Sequence, residues 1–319
     1  MRFFIPVFRS LNPFLAVSAL ILGLPLKHKA QSHYTRQYIS VAGKKMSFTS
    51  FGLANRRSGE PVVVFEAGFG VTGALDFTRL YPGLSNSAAG IGYDRNGEGE
   101  SDEDSTIVTD NDIVLRLHLL LKKVHVPPPY LLVGHSMGGA YIRLFTSMYP
   151  NEVAGLLFID AADFMLTDQQ DEQIKILSKT GQGSKAWVVP AMDAQARDTT
   201  LSPRIRHRSD RLANFFRNGD FWKLYCSLPP LPDIPVGVLA AYHKPVDSSS
   251  TNAGVVARLR AGEHFYMENF TELIRNNHNS FVMLLPHYSH SIHTQDPELV
   301  VTVIKRLLHS LAKAKDLKK

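Results

Sequence analysis

One short segment constrains this chain more than any other, and it reads Leu131-Leu132-Val133-Gly134-His135-Ser136-Met137-Gly138-Gly139-Ala140. Its apolar start predicts a buried strand, and the residues after the glycines predict a helix. The G-x-S-x-G pattern between them predicts a sharp, strained turn that lifts the serine hydroxyl above a sheet. Gly134 and Gly138 stand where side chains would keep the strand and the helix apart. A glycine-rich turn without a chemical role is the alternative interpretation of Ser136.

Short apolar runs alternate with segments of helical spacing along most of the chain. The runs cover 61–65, 89–93, 130–133, 153–159, 234–241 and 281–285, and the helical segments cover 111–124, 137–149 and 297–311. Apolar strands separated by helices predict an α/β fold with a mainly parallel sheet covered by helices on both faces. Residues 37–41 and 45–51 flank Gly43 and predict a hairpin.

Residues 161–233 do not follow this alternation, although 168–179 and 209–225 have helical patterns. An insertion after a strand predicts a helical cap over the carboxyl edge of the sheet, where open α/β folds bind ligands. The alternative is a small domain with no role at that edge. The aromatic residues of the segment either cover an apolar pocket or pack within the cap: Phe215, Phe216, Phe221, Trp222 and Tyr225. Its arginines are expected to form a solvated face rather than an acid-binding clamp: Arg204, Arg206, Arg208 and Arg211.

The two ends of the chain carry much of its positive charge. The net charge is +6, from 35 basic and 29 acidic residues, and a basic tail covers 313–319. This distribution argues against a nucleic-acid-binding face. Arg2 and Arg9 precede an uncharged run over 10–26, so residues 1–30 are predicted to be a secretory signal peptide or a membrane anchor. We therefore expect an exported protein, periplasmic or secreted, or one that residues 10–26 attach to a membrane. Cys226 is the only cysteine, which excludes an intrachain disulfide.

Three segments together resemble the α/β-hydrolase superfamily. Residues 66–70 match the oxyanion loop, 92–101 match the segment after the fourth strand, and 134–139 match the nucleophile turn. The resemblance extends from about residue 35 to about 311 and is closest to the branch with a cap after strand six. That branch includes esterases, lipases and carbon–carbon bond hydrolases. It implies a hydrolase core over 31–160 and 234–312, with a helical cap over 161–233.

The same resemblance implies a histidine base just after the last strand. The segment Ser289-His290-Ser291-Ile292-His293 is similar to the family pattern, with Ser289 where glycine is common. His290 fits best, and His287 and His293 are the rivals. These three histidines at intervals of three are not expected to bind a metal, because a turn does not bring them to one face. No metal and no organic cofactor is expected.

The acid of the triad is less clearly marked. The family pattern places it in the loop after strand seven, but Lys244 stands at that position, and a lysine cannot accept a hydrogen bond from imidazole. Some relatives carry the acid at the end of strand six, where this chain has Asp160. An aspartate that ends an apolar strand is costly to bury unless it is paired. Asp160 is therefore the favoured acid, Asp247 is the alternative, and a simple turn-forming role remains open for Asp160.

The function that follows is a serine hydrolase that cleaves a carboxylic ester or a related acyl bond. Ser136 attacks the carbonyl, His290 takes the proton, and the N–H groups of Phe69 and Met137 form the oxyanion hole. The substrate is expected to be a small, apolar acyl compound. Amide hydrolysis, carbon–carbon bond hydrolysis and a non-catalytic binding role are the alternatives. A serine at the turn argues against the dehalogenase and epoxide-hydrolase branches, which use aspartate.

Overall fold

The computed structural model describes residues 34–201, 203–217, 219–245 and 253–316. The predicted signal or anchor over 1–30 lies outside these residues, and so does Asp247. Within the described ranges, no helix combines the length and the apolar character needed to cross a lipid bilayer.

Eight strands form one sheet in the order β1-β2-β4-β3-β5-β6-β7-β8. Their bounds are β1 Gln37–Val41, β2 Lys44–Phe51, β3 Val62–Glu66, β4 Ala89–Tyr93, β5 Tyr130–His135, β6 Val153–Ile159, β7 Val236–Tyr242 and β8 Phe281–Pro286. β1 and β2 form the predicted hairpin, and β2 also pairs antiparallel with β4. All other pairs are parallel. The predicted fold class, an α/β fold with a mainly parallel sheet, is confirmed.

Alternate residues of the central strands face two separate hydrophobic cores. Val64 and Leu132 face the core that contains the helix after β5, whereas Phe65 and Val133 face the core that contains the last helix. Successive side chains of a strand point to opposite faces, so a strand buried on both faces reads as an unbroken apolar run. This is why unbroken apolar runs in the sequence predicted β3, β5 and β6.

Eleven α-helices surround the described sheet. They are α1 Gly73–Asp76, α2 Tyr81–Leu84, α3 Asp110–Lys123, α4 Met137–Met148, α5 Asp168–Ser178, α6 Lys185–Arg197, α7 Pro203–Arg217, α8 Asp220–Cys226, α9 Ala253–Leu273, α10 Ile292–Gln295 and α11 Pro297–Asp316. Single 3₁₀ turns cover Leu53–Asn55 and Pro150–Glu152. Thr109 caps α3 through a capping box with Asp112, which fixes where that helix begins.

The helices between β6 and β7 differ from the predicted pattern. The segment 209–225 is not one helix, because α7 and α8 are separated near Gly219, which has a φ of 68°. Glycine adopts this left-handed conformation without the steric cost of a Cβ atom. The sequence pattern also predicted no element at α9, which lies between β7 and β8. Phe270 is the buried side chain of that helix, so α9 lacks the broad apolar stripe that marks a core helix.

Candidate active site

The turn between β5 and α4 has the strained geometry that the sequence predicted. Ser136 has a φ of 53° and a ψ of −123°, a region that L-residues occupy only at a steric cost. A Cβ atom at Gly134 would lie 2.5 Å from the Gly138 carbonyl oxygen, and one at Gly138 would lie 2.1 Å from the Glu66 oxygen. Both glycines are therefore required by close backbone approach. The backbone of Ser136 is tied to the sheet, since its N–H donates to Ile159 O at 3.2 Å.

The loop after β3 lies directly against this turn. A Cβ atom at Gly68 would be 3.3 Å from Ser136 Cβ. The guanidinium of Arg95 holds the loop from behind, donating to Ala67 O at 2.6 Å and to Gly68 O, and pairing with Glu66 at 2.6 Å. The amide N–H groups of the two predicted oxyanion residues, Phe69 and Met137, donate no hydrogen bond to any described residue.

Asp160 and His290 meet at the carboxyl edge of the sheet. Asp160 follows β6, is 1% exposed and has a φ of 39°. Its Oδ1 accepts a hydrogen bond from Ala241 N at 3.0 Å, and its Oδ2 lies 2.5 Å from His290 Nδ1. The His290 side chain is 41% exposed, so the imidazole is accessible from solvent. A buried carboxylate that orients an accessible imidazole is the arrangement used for general-base chemistry.

Lys244 contacts the same carboxylate oxygen. Its Nζ lies 2.7 Å from Asp160 Oδ2, in the loop after β7. Burial raises the pKa of Asp160, but the charge of Lys244 and the hydrogen bond to His290 outweigh burial and leave that pKa below its usual value. Asp160 is therefore ionised at neutral pH. Lys244, whose position in the sequence argued against an acid in this loop, is thus a charged partner of Asp160, and no local pattern predicted that contact.

The other predicted residues take separate positions. The side chain of His287 is exposed, and its backbone N–H donates to Tyr242 O at 2.9 Å. His293 is buried and lies near Asp76 and His135 rather than near Asp160. No hydrogen bond joins Ser136 Oγ to His290 within the described part of the chain. The two residues are linked through His135, whose Nε2 lies 3.0 Å from the His290 carbonyl oxygen. Catalytic hydrogen bonds are often long before substrate binds.

A cavity of about 220 Å³ lies between the turn and the cap. Phe69 and Met137 form part of its floor, and apolar cap side chains form most of its walls: Leu166, Val188, Met192, Leu212, Phe216, Phe221 and Trp222. Asp163 also lines it, and burial raises the pKa of this carboxyl to about 7. Of the five aromatic candidates, Phe216, Phe221 and Trp222 line this cavity.

A second cleft of about 40 Å³ lies where the cap meets the core. Arg208 and Arg211 line it, and the expectation of a solvated arginine face is wrong for these two residues. Arg208 pairs with buried Glu98 at 2.6 Å and stacks over the Phe69 ring at 4.2 Å. Arg211 donates to the Ile107 carbonyl oxygen. These arginines attach the cap to the core, a role with no local sequence signal because their partners lie more than a hundred residues away.

Comparisons with known proteins agree with this architecture. A model of the family described as alpha/beta hydrolase fold matches residues 60–225. The uncharacterized protein YqjL of Bacillus subtilis (strain 168) is 33% identical over 100 residues, which are 31% of this chain and 39% of YqjL. The uncharacterized protein YbdG of the same organism is 32% identical over 124 residues, 38% of this chain and 36% of YbdG. The matches thus span well under half of these relatives' length.

Solved structures extend the likeness to the whole described fold. The haloalkane dehalogenase DatA from Agrobacterium tumefaciens C58 has a TM-score of 0.56 at 12% identity, covering 87% of this chain and 97% of DatA. The serine hydrolase CarC, involved in carbazole degradation, has a TM-score of 0.52 at 16% identity, covering 86% and 99%. At such identities the likeness concerns the fold alone. The family match covers more than half of the chain and includes the strained serine turn, so this chain belongs to the α/β-hydrolase fold family.

Proposed function

We propose that this protein is a serine hydrolase that cleaves carboxylic esters, with Ser136 as nucleophile, His290 as base and Asp160 as acid. The observation that carries the proposal is the 2.5 Å contact between His290 Nδ1 and the buried Asp160 carboxylate, beside a serine on a strained turn. An orienting carboxylate, an imidazole and a hydroxyl are the parts that acyl transfer requires.

The reaction proceeds in two steps. Ser136 Oγ forms a bond to the ester carbonyl carbon while its proton passes to His290 Nε2, and Asp160 stabilises the imidazolium that results. The tetrahedral intermediate collapses, and the alcohol leaves with that proton. Water then attacks the acyl-enzyme with His290 again as base, which releases the acid and restores the serine. No bond change in this scheme needs a cofactor.

The developing negative charge is met by two backbone N–H groups. Met137 N–H lies at the N-terminus of α4, and Phe69 N–H belongs to the loop that Arg95 holds against the turn. Neither is engaged by a described residue, so both are free to stabilise an oxyanion. The fixed backbone around them makes this stabilisation preorganised rather than dependent on substrate binding.

The cavity favours an apolar acyl group. Its walls are mostly hydrocarbon and aromatic, and Asp163, with a pKa near 7, is largely neutral in mildly acidic solution. Burial of an acyl chain there contributes binding at about 0.8 kcal/mol per methylene. We further propose that the protein acts outside the cytoplasm, exported by residues 1–30 or held at a membrane by residues 10–26. The support is the basic start and uncharged run of that segment.

Two alternatives use the same residues. Amide or carbon–carbon bond hydrolysis requires only a different leaving group, and a non-catalytic binding protein requires none of the chemistry. The serine at the turn disfavours the aspartate chemistry of dehalogenases and epoxide hydrolases. The fluorophosphonate and ester experiments below separate these possibilities.

The test combines covalent labelling with turnover. We expect a fluorophosphonate probe to label the full-length protein at Ser136, and we expect Ser136→Ala to lose labelling and to lower ester turnover by about 10³-fold or more. Ser289→Ala, a change at an exposed position one residue before His290, is the matched control and should keep most of the activity. Absence of labelling at Ser136 would favour the binding protein. Labelling without turnover across a panel of esters of graded acyl length would favour an amide or carbon–carbon substrate.

A further inference from the structure

We infer that Asp76, His135 and His293 form a binding site for one divalent zinc ion beneath the proposed triad. One ligand atom from each of the three side chains lies within 4.8 Å of the atoms of the other two. Two imidazoles and one carboxylate are the donor set of many zinc sites, whereas magnesium and calcium prefer oxygen alone. This inference concerns a cluster that the proposed reaction does not use, and it does not depend on that reaction.

The histidines are buried and have nitrogens without hydrogen-bond partners. His293 is 1% exposed and His135 is 5% exposed. Within the described residues, His135 Nδ1, both His293 ring nitrogens and Asp76 Oδ2 are buried and make no hydrogen bond. Buried polar atoms are almost always satisfied. One nitrogen of each histidine and one oxygen of Asp76 lie within 4.8 Å of one another, which indicates a missing partner, and a cation is the partner that two lone pairs and a carboxylate share.

The second nitrogen of His135 has the contact that a metal ligand requires. Its Nε2 lies 3.0 Å from the His290 carbonyl oxygen, which can only accept, so Nε2 carries the proton. Nδ1 is then a lone pair that points away from this bond. Metal-binding histidines commonly donate their other N–H to a backbone carbonyl or carboxylate, which fixes the tautomer.

The spacing of the ligands fits a small ion. Tetrahedral zinc with bonds of about 2.0–2.1 Å places neighbouring ligand atoms roughly 3.3 Å apart. His293 Nε2 and Asp76 Oδ1 are already 3.3 Å apart. Asp76 ends the short helix α1 and its side chain is 17% exposed, so it offers both freedom to close on the ion and a route from solvent for the ion and a fourth, water ligand.

The site would join three segments that carry the proposed chemistry. Asp76 follows the oxyanion loop, His135 precedes Ser136, and His293 follows His290 by three residues. An ion held by all three would cross-link these segments in the folded state only. We therefore expect zinc to raise the thermal unfolding temperature, since a ligand that binds only the folded protein stabilises it by mass action.

The experiment measures metal binding directly, on full-length protein purified without a polyhistidine tag and stripped with a chelator. We expect one equivalent of Zn²⁺ to bind with a Kd of about 1 µM or tighter in competition with a chromophoric chelator. His293→Gln and Asp76→Asn should each weaken binding by about 100-fold or more and remove the zinc-dependent rise in Tm. His287→Gln, which changes an exposed histidine of the same loop, should bind zinc as the wild type does.

Two outcomes overturn the inference. One is wild-type protein that binds no zinc below about 100 µM, in which case the three groups form a metal-free polar cluster. The other is zinc binding that survives both His293→Gln and Asp76→Asn. Because unfolding of a variant would also abolish binding, Co²⁺ is added to the wild type as a spectroscopic probe. A tetrahedral d–d spectrum supports the site, and an octahedral spectrum contradicts it. None of these readouts requires ester turnover, so they are independent of the proposed function.

Discussion

The serine turn and the helical cap are held in place by different kinds of contact. Around Ser136 the constraints lie in the backbone: glycines at 134 and 138 touch carbonyl oxygens, and the Ser136 N–H is bound to β6. The cap is attached by side chains. Arg208 pairs with Glu98, and the Tyr225 hydroxyl donates to Asp110 at 2.8 Å. Positions in close backbone contact tolerate almost no substitution, whereas the side-chain contacts of the cap can be replaced individually. We therefore expect mutations in the cap to change substrate selectivity and mutations at the turn to change the reaction itself.

The largest expected effect is at Asp160, whose carboxylate lies beside the backbone-constrained serine turn. Asp160→Asn keeps the size of the side chain but removes the charge that stabilises the imidazolium and fixes its tautomer. We expect kcat for an ester to fall by about 10⁴-fold. Asp247→Asn, the change at the alternative acid, should be comparatively mild. Steady-state kinetics on both variants, with folding checked by circular dichroism, decide between them. The reverse ranking in folded proteins would make Asp247 the acid and would end the triad assigned here.

The next effect is the pH dependence of the free energy of unfolding that arises from Asp110, a core residue that binds Tyr225 of the cap. Burial raises the pKa of Asp110 from an ordinary 3.8 to about 6. The folded protein therefore holds a proton that the unfolded chain releases, and this stabilisation is complete below pH 3.8 and is lost as the pH rises through 6. Two pH units correspond to roughly 3 kcal/mol. Relative to Asp110→Asn, the wild-type free energy of unfolding should fall by about 2–3 kcal/mol between pH 3.8 and pH 8.

Urea unfolding of both proteins across that range measures the difference, in which the titration of all other groups largely cancels. The hydrogen bond from Tyr225 lowers the pKa of Asp110. Tyr225→Phe should therefore move the loss of stability to higher pH. A difference between wild type and Asp110→Asn that does not change with pH would mean that the carboxyl is ionised in the folded protein.

A smaller effect tests whether the cap controls selectivity alone. Val188 lies on α6 and lines the apolar cavity, so Val188→Trp should fill part of that cavity. We expect kcat/KM for an octanoyl ester to fall about tenfold or more, with acetyl ester turnover nearly unchanged. Leu177→Trp, at a position on α5 that is 59% exposed, is the matched control. An equal loss for both esters would mean that the cap supports the fold rather than the substrate.

The smallest expected effect concerns Lys244, the lysine beside Asp160. Lys244→Met removes a cation 2.7 Å from Asp160 Oδ2, so the carboxylate stabilises a charged imidazole more strongly. We expect the acidic limb of the pH profile of kcat/KM to move to higher pH by about half a unit to one unit, with little change in activity at pH 8. Lys313→Met, at an exposed position on α11, should leave the profile unchanged. A shift to lower pH would contradict the contact as described.

The sequence predicted the core better than the periphery because its signals there are local. β3, β5 and β6 are buried on both faces, which produces unbroken apolar runs, and the turn at Ser136 needs glycines at fixed distances. By contrast, α9 has few buried side chains, and the break between α7 and α8 depends on one glycine conformation. Neither leaves a periodic pattern long enough to read.

The sequence by itself determined the strained turn at Ser136, the alternation of strands and helices, and a short list of polar residues at strand ends. These follow from backbone sterics and from the period of side-chain burial, both of which act over a few residues. The tertiary structure decided which polar residues meet. His290 lies 130 positions from Asp160, and Lys244 approaches the same oxygen from a third loop. His293, a rival base by sequence, faces His135 and Asp76 instead. Such pairings depend on the order of strands in the sheet, which brings together loops that no local pattern connects.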